Sequence, residues 1–99
     1  IMIEETVKRL AEASDKKYGG KLKDWSVHSV YDGVHFVMGI LSGPDPTHRW
    51  EEGYTVRTSN IVWLEADFDY VETANTFYVL ECEVNTHPLP DAVAARIFF

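Results

Sequence analysis

Cysteine is almost absent: Cys82 is the only one in 99 residues. An internal disulfide is therefore excluded, and so is zinc-ribbon spacing. Basic residues are scarce too, with nine Lys and Arg against sixteen Asp and Glu, for a net charge of −7. No apolar stretch is long or continuous enough to cross a bilayer as a helix, and no signal-peptide pattern occurs. Met2 reads as the natural start, and a cytoplasmic location, in a host cell, is expected. There is no Gly-x-Ser-x-Gly elbow and no phosphate-binding glycine loop. No Ser or Cys stands in a recognisable setting with His and an acid. A non-enzymatic protein without cofactor or metal is the expectation.

The chain is long enough for one domain, residues 1–99. Its charge is unevenly distributed. Up to Gly43, six acids are balanced by Lys8, Arg9, Lys16, Lys17, Lys21 and Lys23. From Pro44 onward, ten acids face only Arg49, Arg57 and Arg96. That half would repel a nucleic-acid backbone, so direct nucleic-acid binding is not expected. It would attract and steer a cationic partner. The plainer alternative is that the acidity only keeps a small protein soluble.

Residues 3–18 have helical periodicity. Ile3, Val7, Leu10, Ala11, Ser14 and Tyr18 share one face. Glu4–Lys8, Glu5–Arg9 and Glu12–Lys16 are i,i+4 pairs with the acid first, each worth roughly 0.2–0.5 kcal/mol. Gly19-Gly20 supplies a C-terminal stop. A sheet is expected over residues 25–84. Asp32-Gly33 between two β-rich runs is a hairpin turn. It sets Tyr31 opposite Val34, Ser29 opposite Phe36, Val27 opposite Met38 and Trp25 opposite Ile40. The face of Trp25, Val27, Tyr31, Val34, Phe36, Met38 and Ile40 would then receive the helix. His28 and His35 would be diagonal neighbours on the other face, with Cβ atoms roughly 5–8 Å apart. They could hold a metal if His48 or His87 joined them, or respond to pH; ordinary surface histidines are the simpler reading.

Residues 42–47 form a loop stiffened by Pro44 and Pro46. Residues 54–66 read as a long strand, with a bend or bulge at the polar Thr58-Ser59-Asn60. After a turn at residues 67–70, the last strand alternates: Tyr78, Leu80, Cys82 and Val84 one way, Phe77, Val79, Glu81 and Glu83 the other. Cys82 thus sits with the apolar set as an inert thiol. Residues 85–99 form a short appendage, with a helix started by Pro90 and Phe98-Phe99 packed or sticky. The fold class is α+β: an N-terminal amphipathic helix on an antiparallel sheet of about four strands. A helix followed by such a meander resembles cystatin-like folds.

Glu65, Asp67, Asp69 and Glu72 cluster around one turn, without the spacing of a calcium-binding EF-hand loop. A four-residue turn would place Glu65 opposite Glu72, a repulsive pair. Either that register is wrong or the repulsion is kept for a use. Glu81 and Glu83 on the adjoining strand extend the patch, and Phe68 and Phe77 add aromatic anchors of the kind protein interfaces use. The expected partner-binding set is Glu65, Asp67, Phe68, Asp69, Glu72, Glu81 and Glu83.

Trp50-Glu51-Glu52-Gly53, the Thr58-Ser59 strand, and Thr73, Asn75, Tyr78 and Leu80 carry a resemblance over about a third of the chain. This pattern is similar to the C-terminal half of many short bacteriophage and prophage proteins. The resemblance implies a mobile-element origin. Some small acidic phage proteins, anti-CRISPR proteins among them, inhibit host defence by occupying nucleic-acid-binding surfaces. The leading expectation is therefore a non-enzymatic inhibitor of a basic, nucleic-acid-handling host protein such as a CRISPR effector. The alternatives are a structural or assembly module forming a homodimer, and a small metal-binding protein or enzyme using His28 and His35.

Overall fold

The computed structural model describes residues 3–31, 33–65, 69–81 and Pro90. Among the described residues one helix, α1 (Ile3–Ala13), precedes six strands: β1 (Lys17–Tyr31), β2 (Val34–Leu41), β3 (Thr55–Arg57), β4 (Ile61–Leu64), β5 (Tyr70–Thr73) and β6 (Thr76–Leu80). They form one sheet in the order β3-β2-β1-β6-β5-β4. The class is α+β, with more strands than four. The sheet is mixed, because β1 runs parallel to β6 while the other neighbours are antiparallel. That parallel pair departs from a simple meander. No helix among the described residues is long and apolar enough to cross a membrane.

The two outermost strands, β3 and β4, are consecutive in the chain, with only residues 58–60 between them. Four Cα steps reach at most about 14 Å, whereas the edges of a flat six-stranded sheet lie roughly 24 Å apart. The sheet must therefore curl, and β2 and β4 come together. The bend anticipated at Thr58-Ser59-Asn60 is where the strand changes partner. Thr58 still donates its N–H to the Val37 carbonyl, while the Asn60 carbonyl already accepts from Ala74 N. The Thr58 hydroxyl secures the crossing by accepting from Val37 N at 2.9 Å.

The inside of the curl holds Leu22, Trp25, Val37, Leu41, Val56, Val71, Tyr78 and Leu80. On the outside, Val7 and Ala11 of α1 pack against Phe77 and Val79, with Leu10, Tyr18 and Tyr70 around them. The alternation read in the last strand is thus present in β6, with both of its faces buried.

The helix is shorter than its periodicity suggested. It stops at Ala13, and Lys17, Tyr18, Gly19 and Gly20 belong to β1. The stop is a left-handed Asp15 (φ 56°), with Lys16 N donating to Ala11 O and Asp15 N to Glu12 O. This is the double bond of a Schellman cap, with Asp in the place usually given to glycine. Gly19 serves close packing instead, since an added Cβ there would meet the Tyr78 ring and Thr76 Cγ2 at 2.7 Å.

The hairpin register also needs correction. Tyr31 pairs with Val34 as expected, but Ser29 then pairs with His35, His28 with Phe36 and Val27 with Val37. A bulge beyond Ser29 inserts one residue into β1 and turns its side chains over. Val27 is 43% exposed, while His28 is only 2% exposed. A second irregularity between Lys23 and Ser26, at the left-handed Asp24, restores the parity and returns Trp25 to the core. Consequently the helix is received by β6 and the start of β1, not by the hairpin face.

Candidate partner-binding rim

β4 is an apolar strand, Ile-Val-Trp-Leu, at an edge of the sheet. A bulge between Ile61 and Trp63 breaks its alternation. Ile61 and Leu64 pack on the inner cluster, whereas Val62 and Trp63 are 58% and 56% exposed. Burying what remains exposed of one of these side chains against a partner would be worth about 1–1.5 kcal/mol.

The Tyr70 hydroxyl lies near both the Trp63 indole and the Glu65 carboxylate, close enough for each to act on its titration. Burial, followed by hydrogen bonding to Glu65 and the charges of Glu65 and Glu72, pushes the Tyr70 phenol above its ordinary value. Trp63, Tyr70 and Glu65 thus set an exposed aromatic beside a carboxylate. Tyr70 also lies near Phe77, ring centroids 6.3 Å apart.

The anticipated acids separate into two groups. Glu65 immediately follows β4, Asp69 precedes β5 and Glu81 follows β6. Adjacent antiparallel strands bring these three positions to one rim of the sheet. The Asp69 carbonyl accepts from Leu80 N at 2.9 Å, and Glu81 N donates to Leu22 O at 2.9 Å. The Glu81 carbonyl also accepts from Trp25 Nε1 at 2.7 Å, tying the rim to the core.

Glu72 stands apart. Its carboxylate is 2.6 Å from Lys16 Nζ, so part of the anionic field is neutralised by the residue that follows the helix cap. Glu72 pairs with Trp63, and Glu65 N donates to Tyr70 O, so Glu65 and Glu72 are not opposed as the turn spacing suggested. Pairing that begins at Glu65 and Tyr70, two positions from the expected register, removes that repulsion. Asp67, Phe68 and Glu83 lie outside the described residues, as do Cys82, the segment expected to form a C-terminal helix, and Phe98-Phe99.

The histidine pair is not formed. His28 is buried and stacked on Phe36, centroids 5.3 Å apart, with its Nε2 2.7 Å from Ser26 Oγ. His35 is on the opposite face, 2.7 Å from Ser29 Oγ. No cluster of three metal-ligating side chains occurs among the described residues.

No protein-family model, curated protein or solved structure matches the chain.

Sequence reading missed Trp63 and Tyr70 as site residues. A strand of four apolar residues reads as core. Alternation from inward Leu64 turns Trp63 outward, and the bulge, which leaves no compositional mark, turns Val62 outward beside it.

Proposed function

We propose that this chain is a non-enzymatic binding protein whose rim of Trp63, Glu65, Asp69, Tyr70 and Glu81 docks a basic protein partner. The observation that carries this reading is Trp63: more than half exposed on an edge strand, and beside Tyr70 and Glu65. An exposed tryptophan bordered by carboxylates has the make-up of an interface anchor with a charged rim. The excess of acids after Pro44 supports a cationic partner.

The finer reading is an acidic phage-type inhibitor. It would cover the cationic surface with which a host protein, a CRISPR effector among the candidates, holds nucleic acid. This extension rests on the charge distribution and on the resemblance to phage proteins. Asp67, Phe68 and Glu83 belong to the same reading by their sequence positions.

Cross-linking in a bacterial lysate followed by purification of the captured protein supplies a partner for quantitative binding. Trp63→Ala should then weaken binding by at least about tenfold. Glu65→Lys with Asp69→Lys should weaken it and flatten its salt dependence. Unchanged affinity in both variants would remove the rim from the mechanism.

Exposed Val62 on an edge strand favours one competing reading, self-association through β4. Light scattering over a range of concentrations separates the two. A constant monomer mass favours the heterologous partner, and a dimer lost in Trp63→Ala favours the second copy.

A further inference from the structure

The curl of the sheet leaves a seam. On the side away from β1, β2 is paired only from Val37 to Leu41. Residues 58–60 then carry the chain across to β5. Among the described residues, no strand pairs with Val34, His35 or Phe36 on that side, or with the outer edge of β4. β2 and β4 touch without forming a ladder. Backbone groups in antiparallel strands alternate between the two edges. Val37 N and O both face Thr58, so the N–H and C=O of His35 point into the seam. Glu65 N faces Tyr70 of β5, so those of Leu64 point the other way, into the seam from β4. The inside of the curl is open at this end. Val27 is opposite Val37, whose side chain lies in the inner cluster, yet Val27 is 43% exposed. Ser29 and its partner His35 are exposed as well.

Resting on the reading of the rim given above, we infer that the partner enters this seam as an extended basic segment and adds a strand to the sheet. Unpaired edges bind such segments through main-chain hydrogen bonds, and alternate side chains supply the specificity. The inward side chains of the added strand are apolar, because they close over Val27, Ile61 and Leu64. The outward ones are Lys or Arg. Their aliphatic stems lie along exposed Val62 and Trp63, with the charged heads in water. They bring positive charge to a stretch of chain that has no Lys or Arg between Arg57 and Arg96. An acidic segment would meet the like charges of Glu65, Asp69 and Glu81 instead.

The probe is an octapeptide amide alternating lysine and valine, with its glutamate–valine counterpart as control. Backbone amide hydrogen exchange of the whole chain is followed by two-dimensional NMR as each is added. Saturating basic peptide should slow exchange at Leu64, at His35 or at both by about tenfold, and the acidic peptide should not. A shift of the Trp63 indole signal with exchange unchanged at both amides would overturn strand addition and leave the rim standing as an interface. Equal protection by the acidic peptide would overturn the basic partner, and the rim reading with it. Protection at Leu64 that grows with protein concentration and needs no peptide would give the seam to a second copy of the chain and overturn the inference. So would the absence of any change with either peptide.

Discussion

Lys16 Nζ lies 2.6 Å from Glu72 Oε2 and 2.9 Å from the Thr73 carbonyl oxygen. This contact ties the residue after the helix cap to β5, beneath the Phe77 ring that the same ammonium approaches at 6.0 Å. Both side chains are largely buried. Removing one partner leaves the other charge poorly solvated, while removing both does not. Lys16→Met and Glu72→Gln should each destabilise the fold by about 1–3 kcal/mol. The double variant should lose less than the sum. Urea denaturation of the four proteins measures the coupling, and strict additivity would show that the pair contributes nothing as a pair.

Asp45 organises the loop between β2 and β3. Its Oδ1 accepts from Thr47 N at 2.8 Å and Thr47 Oγ1 at 2.7 Å, and its Oδ2 accepts from Arg49 N and Trp50 N, both at 3.0 Å. Burial alone would raise its pKa, but these four bonds outweigh burial and hold it below the ordinary value of 3.8. A carboxyl depressed in the folded state stabilises the protein above its unfolded pKa, and that contribution is lost as pH falls through the lower folded value. Asp45→Asn should therefore cost about 1–3 kcal/mol near neutrality. The difference from the parent protein should shrink below pH 3.8. Thermal melts of both proteins from neutral to acid pH check this, and a gap that stays constant with pH would exclude the carboxylate as its source.

Gly19 is required for the close approach of β1 and β6. A methyl group there would be driven into Tyr78 and Thr76, both buried. Gly19→Ala should destabilise by about 1–3 kcal/mol through overpacking, although alanine is ordinarily the better residue within a strand or helix. Gly33→Ala, with nothing within 4 Å of the added methyl but a φ of 75°, isolates the backbone penalty for comparison. Chemical denaturation of both variants separates the steric cost from the conformational one.

Much of this fold was legible in the residues because its causes are local. The apolar spacing of Val7, Leu10 and Ala11 makes one face of a helix, and that face is the one packed on the sheet. Tyr78 and Leu80 alternate with Phe77 and Val79 because strand side chains alternate. The polar Thr58-Ser59-Asn60 marks the bend in a strand that would otherwise run straight. The end of the helix was misplaced because glycine is the commoner left-handed cap, and here Asp15 takes that role.

Tertiary structure alone decided the rest. A single inserted residue beyond Ser29 exchanges the faces of Val27 and His28, and a strand's composition carries no sign of it. Another bulge turns Val62 outward beside Trp63, and pairing that begins at Glu65 and Tyr70 sets Glu72 opposite Trp63. The parallel pairing of β1 with β6, and the meeting of Lys16 with Glu72 across 56 positions of sequence, follow from sheet closure. Local chemistry fixes which segments become helix or strand, because those preferences act between near neighbours. Which side chains share a surface depends on register and curvature, which no short stretch of chain contains.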